Sequence, residues 1–331
     1  MSPLVSVIIP CRNERRHMKS CLGSLTTQDF SKSEIEILIV DGMSEDGTTE
    51  IVKHFIQGRP FMKLIDNPKK IIPAAMNLGI KNAKGKIIVK TDAHTVYPKD
   101  YISKCVEALG KYDADNVGGI LVTMPGDHTL QAKAIAISLS HPFGVGSSPF
   151  RQESFSKKPR WVDTVAFGCY KREVFEKVGL YNENLVRSSD MEFNIRLKKA
   201  GGKILLLPDI MASYYADSTF ETFWQHNVKD GIWAIYPLKF TKVLFRPRHF
   251  VPFLFISSFL MLLPLSFLFR PLLFLLLLIL GGYMFGAFIS SLQIVFQQRD
   301  IRYLYMMPIA FIIRHFAYGL GSLWGFLKLW I

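Results

Sequence analysis

Cysteine is scarce and scattered, with only Cys11, Cys21, Cys105 and Cys169 in 331 residues. No C-x-x-C pair occurs, so a zinc ribbon and a disulfide scaffold are excluded, and a reducing compartment is expected. The first apolar run is followed by CRNERR rather than G-x-G-x-x-G, which excludes a nicotinamide-type dinucleotide site at that turn. The Gly-rich basic loop of a sugar-phosphate nucleotidyltransferase is missing as well. The opening MSPLVSVIIP lacks the basic flank of a secretory signal, so the first 245 residues are expected to stay in the cytosol. Basic residues do not gather on a polar face, so no nucleic-acid partner is expected.

What is abundant is apolar and basic. Hydrophobic residues make up 49% of the chain, and 40 Lys and Arg against 27 Asp and Glu leave a net charge of +13. Arg246, Arg248, Arg270, Arg299, Arg302, Arg314 and Lys328, with Asp300 as the single acid, fall in the otherwise apolar last quarter. There they punctuate apolar runs, as residues flanking membrane segments do. HFVPFLFISSFLMLLPLSFLF before Arg270 and LLFLLLLILGGYMFGAFISSLQIVFQ after Pro271 carry no charge. About 20 apolar residues span a hydrocarbon core, so both qualify, joined as a hairpin at Arg270-Pro271. Pro252 and Pro264 are expected to kink the first helix. The third run holds Arg314-His315 near its middle, an expensive pair at membrane depth. Either that helix spans with the pair facing protein, or residues 303–314 lie in the interface and a shorter segment inserts. Three segments are expected, at 249–269, 271–297 and 303–331. Arg246, Arg248, Arg299 and Arg302 all fall on the cytosolic side, in keeping with the positive-inside bias.

Before position 245, apolar runs alternate with helical patterns. VSVIIP, IEILIVD, MKLIDN and KIIVKTDAH read as strands, separated by amphipathic stretches at 14–29, 48–57 and 73–83. This alternation predicts an α/β domain with a mostly parallel sheet, whose ligand site lies at the carboxyl ends of the strands. The polar residues fall at those ends: Arg12, Asn13 and Glu14 after the first strand, Asp41 after the second, Asp92 and His94 after the fourth.

Each of these has a local alternative. Asp41 suits a ribose or base contact, and equally a turn aspartate. DGMSEDG has Met43 where a calcium loop needs Asp or Asn, which excludes that loop. Asp92 and His94 lie two apart at a strand end, so both reach one divalent ion, though turn geometry alone accounts for them too. Carboxylate plus imidazole suits manganese at least as well as magnesium. Asp190 opens DMEFNIRLKKAG, a helix closed by Gly201-Gly202, and serves there as an N-cap or as a base whose carboxylate the helix dipole favours. Trp224, His226, Trp233 and Tyr236 precede the first apolar run as interfacial aromatics do.

In this order VSVIIPCRNE, LIVDGMSEDGT, NPKKIIPAAMNLGIKNAKGKIIVKTDAHTVYP, FGVGSSPFR and VDTVAFGCYKREVFEKVGLYNENLVRSSDMEFNIRLKKAGGKILLLPD resemble family 2 glycosyltransferases of the GT-A fold, and more narrowly the succinoglycan and exopolysaccharide type. The resemblance runs over nearly the whole chain. It implies a cytosolic GT-A domain at 1–217, a juxtamembrane segment at 218–248 and a membrane anchor at 249–331. It implies that Pro10, Arg12, Asn13, Glu14, Asp41 and Asp92 bind the donor nucleotide. Asp92 stands for the first acid of the metal-binding D-x-D motif, with His94 in place of the second, so a Mn2+ or Mg2+ cofactor is implied. Asp190 stands for the general base of the E-D motif, preceded here by Ser189. Glu192, His226 and Trp233 are assigned to the acceptor side. The Q-x-x-R-W motif of processive synthases is absent, and WQHNVKDGIW occupies its place.

The function implied is inverting transfer from a nucleotide-sugar, UDP-linked first, to an acceptor carried on polyprenyl phosphate or another lipid. The location implied is the cell membrane, multi-pass, with the catalytic domain cytoplasmic. Lys239, Lys242, Arg246 and Arg248 meet lipid phosphates or act only as topology signals. The rival readings are a processive polysaccharide synthase and a non-catalytic membrane scaffold. Product length separates the first, and loss of the acids would mark the second.

Overall fold

The computed structural model describes residues 2–151, 158–241 and 247–331. Lys242 and Arg246 lie outside the described residues. The chain divides into two compact units, 1–122 with 149–214 and 123–148 with 215–331.

The first unit is built on a sheet. Its leading strands are β1 (Val5–Cys11), β2 (Ile35–Asp41), β3 (Met62–Asp66) and β4 (Ile87–Lys90), with helices α1 (Met18–Thr26), α2 (Thr48–Ile56) and α3 (Ile72–Asn82) between them. They pair in parallel, in the order β3-β2-β1-β4. All seven residues of β1 and all seven of β2 are buried, which is why both read as continuous apolar runs rather than alternating ones. Pro10 sits in β1 without cost, because pairing with β4 stops at Ile8 and its missing N–H falls beyond that ladder. Gly79 lets α3 lie on β1: a Cβ there would sit 2.5 Å from Ile8 Cγ2.

Beyond β4 the sheet is antiparallel. After the short β5 (Thr95–Val96) and α4 (Tyr101–Lys111) come β6 (Asn116–Met124), β7 (Arg160–Trp161), β8 (Ala166–Lys171) and β9 (Ile204–Tyr215). β8 pairs antiparallel with both β4 and β6, and β9 carries β5 and β7 antiparallel. The expected parallel pattern thus holds for the first four strands, and the full sheet is mixed. Between β8 and β9 lie α7 (Glu173–Val178) and α8 (Ser189–Lys199). Tyr170, Phe175, Tyr181 and Phe193 form an aromatic cluster under α8, with Tyr181 stacked on Phe193 at 4.7 Å.

The second unit is helical: α5 (Leu130–Ser138), α6 (Pro142–Val145), α9 (Phe220–Ile235), α10 (Val251–Ser266), α11 (Arg270–Gln298) and α12 (Tyr303–Leu327). α11 and α12 are long and apolar enough to cross a membrane by length and composition. Large apolar side chains such as Phe274, Leu278, Phe285 and Phe296 point outward from α11, a surface that water does not favour. The segment expected at 249–269 is shorter than its apolar run. Its helix has 16 residues, about 24 Å at 1.5 Å each, against a core of about 30 Å. Pro264 lacks the N–H that would continue the ladder, and the helix ends two residues later. The chain then turns at Phe267–Phe269, and α11 begins with Pro271 in its first turn. The third run is one continuous helix, Tyr303–Leu327, whose Arg314 and His315 face protein. Arg314 bonds Asn227, and His315 Nδ1 meets the Tyr283 hydroxyl at 3.0 Å.

α9 and α12 touch backbone to backbone. A Cβ at Gly231 would lie 2.0 Å from the Tyr318 carbonyl oxygen, and one at Gly321 2.1 Å from that of Val228. Gly321 and Gly325 are spaced as in a G-x-x-x-G face, and Ser322 donates to the Gly231 carbonyl at 3.1 Å. Replacing Gly231 with Val should therefore destabilise the helical unit by about 1–3 kcal/mol, the usual cost of overpacking. Gly23→Ala, in α1 with nothing near its Cβ, should stabilise by about 0.5–1 kcal/mol. Thermal unfolding in detergent checks both, and equal midpoints for Gly231→Val and the parent would contradict the close contact.

Candidate active site

Parallel pairing puts the ends of β1, β2 and β4 on one edge of the sheet. The loops that follow β1 and β2 are laced together. The Asn13 N–H donates to Ser44 Oγ at 2.9 Å, and the Glu45 N–H donates back to Asn13 Oδ1 at 2.9 Å. The Glu14 N–H donates to Thr48 Oγ1 at 2.8 Å, and that of Arg15 to Asp46 Oδ2 at 3.0 Å. Asn13 and Met43 hold left-handed backbone, with φ of 57° and 58°, so both turns are tight. Asn tolerates that region through its own local hydrogen bonding; Met43 is held there by the lacing. Gly42 allows the close approach, since a Cβ there would be 3.1 Å from Arg12 Cβ. Arg12 stays exposed beside it.

Asp41 is buried, and its carboxylate is spent on its own turn. It accepts from the Ser44 hydroxyl at 2.5 Å, from the Thr49 hydroxyl at 2.6 Å and from the Ser44 N–H at 3.3 Å. The side-chain geometry displays the turn reading of Asp41, whose carboxylate holds the 41–49 loop in shape.

A second cluster stands at the end of β4. His94 Nδ1 lies 3.2 Å from Asp92 Oδ1 and 3.2 Å from Glu14 Oε1. Burial alone would lower the imidazole pKa, but the charges of Asp92 and Glu14 outweigh it and raise the group to about 9. At neutral pH His94 is therefore a cation between two carboxylates. The Asp92 backbone is gripped from below: its N–H donates to the Tyr97 hydroxyl at 2.7 Å, and Cys21 Sγ donates to its carbonyl at 3.4 Å. Tyr214 packs edge-on to His94 at 5.1 Å, His17 lies 6.5 Å away, and Arg151 stands over the Tyr214 ring at 5.9 Å. Burial pushes the His17 imidazole down, with the Glu14 charge opposing.

The residues present fit a divalent cation. Asp92 and Glu14 offer hard oxygens at one corner of the edge, and His94 would add a nitrogen once a bound metal displaced its proton. Among the described residues no three such side chains close around a single ion position. Diphosphate oxygens and water would complete the shell, as they commonly do around nucleotides.

Asp190 is the second residue of α8, not its cap; Ser188 holds the cap position, with φ of 59°. The sequence placed the helix start one residue late. The Asp190 carboxylate accepts from the Met191 N–H at 2.9 Å, and its charge reaches the buried hydroxyls of Tyr170 and Tyr181. Among the described residues no hydrogen bond or ion pair joins it to Asp92 or His94. Glu192, expected on the acceptor side, is buried and paired within the sheet unit. It is 3% exposed and holds Arg196 at 2.7 and 3.0 Å, while Arg196 reaches the carbonyls of Val178 and Leu180. That pair ties α8 to the loop before Tyr181. His226 and Trp233 lie on α9 in the helical unit, where His226 Nδ1 is 3.2 Å from Asp217 Oδ2 and Trp233 packs on Tyr236.

Sequence reading missed Tyr97, Cys21, His17 and Tyr214. Only His17, three residues after Glu14, carried a local signal, an imidazole near the donor loop.

The geometry sets a pH dependence. A folded-state pKa raised to about 9 stabilises the fold below the unfolded value of about 6.5, and that stabilisation is lost as pH rises through 9. In chelator-treated protein the unfolding midpoint should fall between pH 6.5 and 9. His94→Gln should flatten that slope, and parallel slopes in the two proteins would rule out a charged His94.

Comparison with known proteins follows the same outline. The Glycosyl transferase family 2 model matches residues 6–179. A dolichyl N-acetyl-alpha-D-glucosaminyl phosphate 3-beta-D-2,3-diacetamido-2,3-dideoxy-beta-D-glucuronosyltransferase of Methanococcus voltae is 28% identical over 98% of this chain and 97% of its own. The succinoglycan biosynthesis protein ExoA of Rhizobium meliloti is 31% identical over 66% of this chain and 66% of its own. The solved mannosyltransferase PcManGT of Pyrobaculum calidifontis, in complex with GDP-Man and Mn2+, aligns with a TM-score of 0.60 at 18% identity, over 98% of this chain and 88% of that one. The sheet unit has the GT-A fold.

Proposed function

The chain belongs to glycosyl transferase family 2, in its exopolysaccharide-related part, and from that premise we propose that it transfers a sugar, with inversion, from a nucleotide-sugar to a lipid-linked acceptor at the cytoplasmic face of a membrane. The observation that carries this is the joining of Asp92, His94 and Glu14 at the carboxyl edge of the sheet, beside the laced loops after β1 and β2. A polar edge of that kind is where an α/β sheet binds phosphorylated ligands. UDP is the first nucleotide to test.

In this reading the 12–15 and 42–48 loops hold the nucleotide, with Arg12 exposed toward its charge. Asp92 and His94 hold a divalent cation, manganese or magnesium, which would neutralise the departing diphosphate. Asp190, in the first turn of α8, takes the proton from the attacking acceptor hydroxyl. Inversion follows if the hydroxyl attacks the anomeric carbon directly. His226, paired with Asp217, and Trp233 are proposed to serve the acceptor side.

The lipid acceptor is supported by the Methanococcus relative, whose name states a dolichyl-phosphate-linked substrate and whose length this chain matches almost completely. Membrane attachment is supported by α11 and α12 and by Arg248, Arg299 and Arg302 at the ends of the apolar segments. We take 1–217 as the catalytic domain, 218–248 as the juxtamembrane segment and 249–331 as a multi-pass anchor.

Two variants test the assignment in nanodiscs with manganese, a panel of UDP-, GDP- and dTDP-sugars and a lipid extract. Asp190→Asn should keep donor affinity and lose about 10²–10⁴-fold in nucleotide release, the usual weight of a general base. Asp92→Ala should weaken both manganese and nucleotide binding. Near-parental turnover in the first, or unchanged nucleotide affinity in the second, would remove that residue from the mechanism.

A further inference from the structure

Among the described residues, Arg314 of the helical unit has no ion-pair partner. Arg314 lies near the middle of α12, a helix apolar enough for a membrane. Its Nη1 donates to Asn227 Oδ1, and its Nε to the Gly144 carbonyl at 3.4 Å. The Asn227 amide is fixed in that sense, because its Nδ2 donates to the Phe223 carbonyl at 2.6 Å. The guanidinium stands over the Tyr318 ring at 5.4 Å. All three partners are neutral. Asp230 lies on the same helix as Asn227, yet among the described residues no ion pair joins Arg314 to a carboxylate. Nη2 makes no hydrogen bond there, and it is not among the sealed polar atoms.

Such a group is costly in an apolar setting unless an anion meets it. The partners it has fix its direction without cancelling its charge. Further donors stand nearby: His249 Nδ1 meets the Tyr318 hydroxyl at 3.2 Å, and Arg248 Nη1 reaches the Ser147 carbonyl at 3.3 Å. Tyr318 is thus met by the Arg314 guanidinium on its ring and by the His249 imidazole at its hydroxyl. An oriented guanidinium fork with an open nitrogen matches the geometry of a phosphate.

We propose that Arg314, supported by Asn227 and Gly144, binds the phosphate group of a lipid. The site rests on the lipid-acceptor reading for its role, and on the side-chain geometry alone for its chemistry. A polyprenyl phosphate and an anionic phospholipid headgroup present the same group.

The full chain in phosphatidylcholine nanodiscs separates the cases. Binding of a short prenyl phosphate and of the matching prenyl alcohol is measured for the parent, Arg314→Gln and Arg314→Lys. Prenyl phosphate should bind the parent more tightly than the alcohol. Arg314→Gln should lose that difference by about 10–100-fold, the usual weight of a hydrogen-bonded charge, while alcohol binding is kept. Arg314→Lys should retain part of it. Should the glutamine variant misfold, the lysine variant and the alcohol control still report the phosphate contribution. Competition by phosphatidylglycerol assigns the site to a headgroup, and its absence assigns it to the acceptor; both support a phosphate site. Equal preference for phosphate over alcohol in parent and Arg314→Gln overturns it. Nucleotide release that never depends on lipid would sink the acceptor reading while leaving a measured phosphate preference intact.

Discussion

Parallel pairing of Val5–Cys11 with strands on both sides is the constraint from which the site follows. It brings three strand ends to one edge, so that residues some 80 positions apart meet, as Glu14 and His94 do. Such pairing requires crossover helices on the faces, which bury both sides of the central strands. Polar groups are then confined to the edge, where backbone N–H groups and short side chains lace the loops after β1 and β2. The loops are held by hydrogen bonds rather than by apolar packing, which leaves their outer surface, Arg12 among it, available to a charged ligand.

Electrostatics at the end of β4 are set by three side chains, Asp92, Glu14 and His94. Two carboxylates converge, and the imidazole between them takes the charge. The buried hydroxyl of Tyr97 and the thiol of Cys21 hold the Asp92 backbone from the core side. The Asp92 carboxylate, proposed above to hold a cation, is thereby positioned through its own backbone. The helical unit solves a different problem, placing polar groups in apolar surroundings. It does so by glycine contacts between α9 and α12 and by neutral acceptors around Arg314.

Much of this was legible in the sequence because the signal was local. Continuous β-branched runs ending in polar turns marked β1, β2 and β4, and the order of their motifs carried the family. The antiparallel half was not read, since its strands are separated by long and irregular segments. Pro264 was legible as a kink; that it ends the helix depends on the turn that follows. Glu192 and Arg196 had the i,i+4 spacing of an ion pair in plain view, yet motif position assigned the glutamate to the acceptor. Asp41 shows the opposite limit, because only side-chain geometry reveals that its carboxylate faces its own turn. Glu14 joins the cation corner through a contact that no local pattern encodes.

The central claim is that the edge formed by Asp92, His94 and Glu14 holds a divalent cation together with a nucleoside diphosphate. Manganese titration followed by electron paramagnetic resonance, with and without UDP or GDP, tests it most directly. The account predicts weak manganese binding alone, marked tightening by one nucleotide, and loss of that tightening in Asp92→Ala. Manganese affinity that no nucleotide alters, or that survives the loss of Asp92 unchanged, would contradict it.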